Sequence, residues 1–249
     1  MVNDYIKAMK IGIIGAMAEE IEDLKNRMGD YSTEKRAGFT FYRGNLNNEE
    51  VILLLSGIGK VNAAMGTTLM IEKFSPDCII NTGSAGGFSS DLSIGDVVIS
   101  TEVRHHDVDA TVFGYEYGQV PQMPAAYIPN NKLVDIAEKA VEKLDNVGTM
   151  KGLIATGDSF MHREDHIHAV REKLPTIMAA EMEAAAIAQC CHNFKMPFVI
   201  IRAISDITGD KDNQVEFEEF LKVAAVNSAT MVMEIIALIS QYEIKHFGE

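Results

Sequence analysis

The sequence predicts an α/β fold: one domain built as a three-layer sandwich, with a mixed, largely parallel central sheet flanked by helices. Three observations carry this expectation. Short apolar, β-branched runs recur along the chain, and longer amphipathic or alanine-rich runs separate them. That alternation is the pattern of strand–helix–strand units, whose crossovers cover both faces of a parallel sheet. The 249 residues, 47% of them hydrophobic, fit one such domain with ample core, and no linker, repeat or low-complexity stretch divides them. Met9 reads as a second start. Residues 1–8 are therefore expected to be a dispensable, unordered extension, and residues 9–249 the domain.

Residues 10–15 (KIGIIG) read as a buried first strand, followed by a helix from Ala18 to about Met28. Residues 39–43 and 51–55 read as paired strands around the polar turn 45–50. A glycine turn at 56–60 leads into a helix that runs to Phe74. Residues 78–82 are another buried strand, ending in the glycine-rich 83–87, and a further strand starts at 95–100. Residues 104–129 read as irregular, with Pro121, Pro124 and Pro129 among Phe113, Tyr115, Tyr117 and Tyr127. A helix at 131–144, a strand at 151–156, a loop at 157–161 and a helix at 163–173 follow. Residues 180–188 (AEMEAAAIA) read as an alanine-rich helix with two acids in its first turn, where the helix dipole favours them. A strand at 197–204 ends in Ser205 and Asp206, and a helix from Phe217 to about Ile239 closes the chain.

The net charge of −14, with no basic cluster, argues against nucleic acid and anionic membranes as partners. Three cysteines in apolar surroundings read as buried, reduced thiols of a cytoplasmic protein. No signal peptide precedes the first strand, and no run reads as long enough to span a bilayer.

In an open parallel sheet the ligand sits beyond the carboxyl ends of the strands. Several predicted strands end in notable residues: Gly15 to Glu20, Gly83 and Ser84, Phe160 and Met161, Ser205 and Asp206. These ends are expected to converge on one pocket. On the 180–188 helix, Glu183 falls on the apolar stripe with Ile187, whereas Glu181 falls with Ala185, Ala188 and His192. A carboxylate on an apolar stripe is costly to bury without hydrogen-bond partners, so Glu183 reads either as a ligand-contacting acid or as an ordinary helix-terminal acid meeting water and backbone. The glycines of 83–87 serve tight turning or close backbone approach to a ligand. Asp206 caps the next segment or faces the pocket.

Other signatures fail on register. No P-loop is present, and residues 12–15 do not match a dinucleotide fingerprint. His162 and His166 are spaced for one helix face, but HREDH is not the zincin motif, and a solvated helix start is expected in place of a metal. His105 and His106 read as loop or interface residues. No nucleophile elbow is visible.

Taken together, GIIGAMAEE (12–20), SGIGKV (56–61), NTGSAGG (81–87), FGYEYGQ (113–119), EMEA (181–184) and RAISD (202–206) resemble the 5′-methylthioadenosine/S-adenosylhomocysteine nucleosidase family. The resemblance runs from Met9 into the last helix. It implies a nucleoside phosphorylase-like α/β fold, usually as a homodimer. It also implies hydrolysis of the N-glycosidic bond of adenine thionucleosides, with no cofactor and no metal.

By that resemblance, Asp206 protonates adenine at N7, for which burial should hold its proton near neutral pH. Glu20 activates the attacking water. Glu183 grips the ribose 2′- and 3′-hydroxyls. Ser84 lies near the water and Ser205 holds Asp206. Phe160 stacks on adenine, Met161 offers backbone to its edge, and Met182 packs under the ribose. Met17, Ile58 and Phe217 meet the 5′-thio group. Ala110, Phe113 and Pro121 reach the partner's site across a dimer; the alternative is a dimer surface without ligand contact.

Departures from the family pattern are few. Ala18 stands where an extra acid is common, Ala110 is small, and residues 210–214 carry a one-residue shift before Phe217. The rivals are a nucleoside phosphorylase, a futalosine hydrolase and a noncatalytic nucleoside-binding protein. Phosphorylases tend to place an Arg where this chain has Asn81 and Thr82, which favours water over phosphate.

Overall fold

The apolar runs become the strands of one sheet. The computed structural model describes residues 8–144, 147–209, 213–242 and 247. Residues 1–7 and 210–212, on which the extension and most of the 210–214 shift were read, lie outside the described residues. In chain order the elements are β1 (Lys10–Gly15), α1 (Ala18–Arg27), β2 (Ser32–Arg36), β3 (Phe39–Leu46), β4 (Glu49–Leu55), α2 (Lys60–Phe74), β5 (Cys78–Gly87) and β6 (Val97–His105). They continue with α3 (Asn131–Val141), β7 (Thr149–Thr156), α4 (Glu164–Lys173), β8 (Ile177–Glu181), α5 (Ala184–Phe194), β9 (Phe198–Ile207) and α6 (Asn213–Gln241). A short 3₁₀ turn, Thr111–Phe113, interrupts the irregular segment between β6 and α3.

The strand order is β2-β3-β4-β1-β5-β8-β7-β6-β9, and β9 also pairs in parallel with β5. Strands β5, β8, β7, β6 and β9 therefore close into a ring, and β1, β4, β3 and β2 extend from β5 as a tail. The sheet is mixed: β1 runs parallel to β4 and β5, and β7 to β6 and β8, while β2, β3 and β4 form an antiparallel meander.

Alternate strand residues serve opposite faces. Ile11, Ile13, Val51, Leu53, Val199 and Ile201 pack against α1, α3 and α6. Ile14, Ile52, Leu54, Ile79 and Ile200 pack against α2 and α5. Helix α4 covers Leu153, Ala155, Ile177 and Ala180 with Ile167 and Val170. Fully burying such a Leu, Ile or Val side chain contributes about 1.5–3 kcal/mol.

Four expectations need correction. First, residues 177–181 are a strand, not the mouth of a helix: Thr156 pairs with Glu181, and Gly86 with Ala180. Glu181 therefore shares no helix face with Ala185, and α5 begins only at Ala184, with Glu183 as its N-cap. Second, the strand beginning at Cys78 continues through the glycines to Gly87, so these are strand residues and not a turn. Third, His105 is the last residue of β6 where a loop or interface position was expected, while His106 follows in a bend, and both are buried. The His105 Nε2 lies 3.1 Å from the Gln189 side-chain oxygen, and burial pushes both imidazoles below their ordinary value. Fourth, α6 is long and apolar enough by length and composition to cross a membrane. Its Ala229, Val232, Ile235, Ile236 and Ile239 are core residues packed on the sheet.

Candidate active site

The carboxyl ends of β1, β5, β8 and β9 meet, as the pattern of the sheet requires. A cavity of about 90 Å³ opens there, lined by Ala16, Met17, Ile58, Ser84, Ala85, Gly86, Phe160, Ala180, Glu181, Met182, Glu183, Ser205, Asp206 and Phe217. It adjoins a smaller hollow of about 40 Å³ that Met161 and Ser159 help to line. Beyond Phe160 and Phe217, whose ring centroids are 5.7 Å apart, an outer groove of about 390 Å³ runs past His162 and Gln214.

Glu20 stands one layer behind this cavity and holds its wall. It is buried in the first turn of α1. Its Oε2 accepts from the Ala16 N–H at 2.8 Å and the Met17 N–H at 3.1 Å, which satisfies donors that a helix start otherwise leaves open. Its Oε1 accepts from the Ser84 N–H at 3.0 Å and the Ser84 hydroxyl at 3.1 Å. Ala16, Met17 and Ser84 all line the cavity.

Gly83 makes room for this contact. A Cβ there, at φ +155°, would lie 2.6 Å from the Arg202 Nη1 and 2.7 Å from the Glu20 Oε1. At Gly86 a Cβ would meet the Thr208 Oγ1 at 2.7 Å and the Asp206 Oδ2 at 3.1 Å. Close approach of side chains to the backbone, not tight turning, is what these two glycines provide.

Arg202 is a buried hub that the sequence reading left without a role. Its Nη2 donates to the Asn81 Oδ1 at 2.8 Å, to the Glu181 Oε2 at 2.5 Å and to the Glu183 Oε2 at 3.4 Å. Its Nη1 donates to the Ser84 carbonyl at 3.2 Å. Glu181 is further held by the Thr156 hydroxyl and by the backbone N–H groups of Glu183 and Ala184. A buried Arg needs such partners, and β5, β8 and the N-cap of α5 supply them. The available signal was the short apolar run after Pro175, bounded as a strand would be.

Glu183 also accepts from the Gly59 N–H at 2.9 Å through Oε1. Burial first, and then the neighbouring Glu181 carboxylate, push its pKa up to about 8, against the opposing pull of Arg202 and the Gly59 N–H. Asp206 is buried on β9, and its Oδ1 accepts from the Ser205 hydroxyl at 2.9 Å.

Of the residues singled out in the sequence, Met17, Ile58, Ser84, Phe160, Met182, Glu183, Ser205, Asp206 and Phe217 face one cavity. Met161 lines the adjoining hollow, and Glu20 touches the cavity through Ser84. Ala110, Phe113 and Pro121 do not line the cavity within one chain: Ala110 is buried, while Phe113 is 80% exposed beside Val112 at 85%. Among the described residues, no Lys or Arg lines the cavity or the adjoining hollow.

Residues 10–237 match the model of the Phosphorylase superfamily. The chain is 57% identical over 223 residues to a 5′-methylthioadenosine/S-adenosylhomocysteine nucleosidase of Chromohalobacter salexigens, covering 90% of this chain and 94% of that protein. It is 54% identical to the enzyme of the same description from Bacillus subtilis, covering 92% and 98%. Among solved structures, the Colwellia psychrerythraea nucleosidase in complex with adenine superposes with a TM-score of 0.91 at 49% identity, covering 93% of this chain and 96% of that one. The Neisseria meningitidis nucleosidase in complex with methylthio-immucillin-A gives 0.90 at 47% identity, covering 92% and 99%.

Proposed function

This chain belongs to the 5′-methylthioadenosine/S-adenosylhomocysteine nucleosidases of the phosphorylase superfamily, and we propose that its cavity hydrolyses the N-glycosidic bond of those two nucleosides. Adenine leaves in both reactions, with methylthioribose or S-ribosylhomocysteine as the other product. The observation that carries this reading is the meeting of Glu183, Asp206 and the Glu20-bound Ser84 in one cavity edged by the Phe160 ring.

The bond breaks with positive charge growing on the sugar and negative charge on the base. Asp206 gives its proton to adenine N7 as the bond lengthens, so the purine departs neutral. Water attacks the sugar from the side of Ser84, and Glu20 takes its proton. Glu183 binds the 2′- and 3′-hydroxyls. Its ionisation is opposed in the empty site by burial and Glu181, and the growing positive charge of the sugar offsets that repulsion. The interaction is therefore stronger at the transition state than in the ground state, which is what accelerates a reaction. Phe160 stacks on the purine, Met161 meets its edge and Met182 packs under the ribose. Met17, Ile58 and Phe217 provide the apolar wall for the 5′-thio group.

Water, not phosphate, is the acceptor. A phosphate needs free cationic groups, and the guanidinium beside Glu183, that of Arg202, already spends its Nη atoms on Asn81, Glu181, Glu183 and the Ser84 carbonyl. The protein acts as a cytoplasmic homodimer, whose interface uses the exposed Val112 and Phe113 arm and brings Ala110, Phe113 and Pro121 towards the partner's pocket.

The test is release of the purine base, adenine from methylthioadenosine and S-adenosylhomocysteine and hypoxanthine from inosine and futalosine, with and without phosphate. Release from the first two, independent of phosphate, is expected. A phosphate requirement would establish a phosphorylase, and preference for futalosine would establish that hydrolase. No release, with adenine bound, would leave a binding protein.

A further inference from the structure

Lys60 takes part in none of these steps, yet it closes a ring of contacts around the rim of the site. Helix α2 starts at Lys60 after Gly59, and no side chain of its own segment caps it. Carboxylates from distant elements do so. Asp158 Oδ1 accepts from the Lys60 N–H at 2.8 Å, and Glu183 Oε1 from the Gly59 N–H. The Lys60 ammonium then donates to the Asp107 Oδ1 at 2.7 Å, and the Asp158 N–H donates to the Asp107 Oδ2 at 3.0 Å. Gly59, at φ +96°, leaves just enough space, since a Cβ would stand 3.2 Å from the Asp158 Oδ1.

Each member of the ring comes from a different segment, and those of Lys60 and Asp158 carry walls of the cavity. Lys60 follows Ile58 and the Gly59 that holds Glu183. Asp158 precedes Phe160 and Met161. Asp107 opens the segment that carries Ala110 and Phe113. Burial tends to raise the Asp107 carboxyl, but hydrogen bonds from the Lys60 ammonium and the Asp158 N–H outweigh it and hold it below the ordinary value. The Lys60 and Asp107 side chains are 20% and 26% exposed and Asp158 is exposed, so the ring is sheltered on its Lys60–Asp107 side. An isolated surface ion pair would have little effect, whereas a closed ring fixes three loops at once.

We propose that Lys60, Asp107 and Asp158 are positioning residues that lock the ribose-side and purine-side walls together, so that sugar and base are held in one register while the bond breaks. The proposal rests on the nucleosidase reading. Loss of the ring should weaken the transition state, which needs both walls, more than it weakens adenine, which needs only one.

The experiment is steady-state kinetics of K60M, K60R, D158A and the K60M/D107N pair on methylthioadenosine, with the inhibition constant of adenine and the thermal midpoint of each. For K60M and D158A, kcat/KM should fall about tenfold or more, as small misplacements of reacting groups do. Adenine inhibition should stay within about threefold, the double variant should be no worse than K60M because ring members act as a unit, and K60R should recover most activity. If K60M shows no thermal transition, D158A, which removes only the acceptor of the Lys60 N–H, decides the matter. Unchanged kcat/KM in folded variants, or an equal fall in adenine affinity, overturns the proposal. A wild type that releases no adenine overturns the nucleosidase reading instead.

Discussion

Glu20 and Ser84, sixty-four residues apart in sequence, are joined by two hydrogen bonds onto one carboxylate oxygen, from the N–H at 3.0 Å and from the hydroxyl at 3.1 Å. Every hydrogen bond to Glu20 uses it as an acceptor. Gln at this position would turn one end of the side chain into a donor facing donors. E20Q should therefore lower turnover about 10²–10⁴-fold, the range of a lost general base. Adenine, which does not need the water, should still bind, as calorimetry would register. Turnover at the wild-type rate would refute the assigned base.

Asp206 makes a separable prediction. D206N should slow adenine release by about 10²–10⁴-fold, since an amide cannot give a proton to N7. A substrate carrying carbon in place of N7 should be poor for the wild type and no poorer for D206N. If D206N slows both substrates equally, the carboxyl acts elsewhere than at N7.

Gly83→Ala tests the crowding behind Ser84. The new methyl would stand 2.6 Å from the Arg202 Nη1 and 2.7 Å from the Glu20 Oε1, and both groups are tied by several hydrogen bonds. Overpacking of this kind costs about 1–3 kcal/mol. The denaturation midpoint should drop accordingly, and turnover should drop with it. An unperturbed midpoint would mean that Glu20 and Arg202 have room to move.

Glu183 links stability to pH. Its folded-state pKa is raised from 4.5 to about 8, so the native state holds this proton more tightly than the unfolded chain. Its contribution to stability is complete below the lower value and is lost as pH rises through the upper one. E183Q, uncharged throughout, should flatten the decline of the thermal midpoint across that window relative to the wild type. Parallel pH profiles for the two proteins would contradict the assignment.

The histidines slope the other way. Burial lowers the folded-state pKa of His106, whose ring is fully enclosed beside Gly157 and His166. Stability from this residue is present above the ordinary imidazole value of 6.5 and is lost as pH falls below it. H106F should reduce the loss of stability on the acid side, measured as midpoint against pH. An acid limb identical to that of the wild type would rule this out.

Much of the frame was legible because periodicity survives where one face is buried. β1, α1, α2 and β9 lie within a few residues of their expected places. β2 was not legible, since STEKR is a polar edge strand made by pairing with β3 and not by an apolar pattern. β8 was misread because Ala179 and Ala180 favour helix intrinsically, while pairing with β5 and β7 decides the matter. Which strand ends would meet could be expected from topology and from the family resemblance. The Arg202 hub could not, because its partners Asn81, Glu181 and Glu183 come from β5, β8 and the start of α5, whose adjacency no local pattern encodes.

Because β9 turns back onto β5, the described sheet presents a single unpaired margin, at β2. That margin is Ser32–Arg36, with Glu34, Lys35 and Arg36 along it. Charged side chains on an outer strand discourage a second polypeptide from adding itself by backbone hydrogen bonds. Fibre-like growth is thereby disfavoured, and self-association is left to side-chain surfaces such as the one around Phe113.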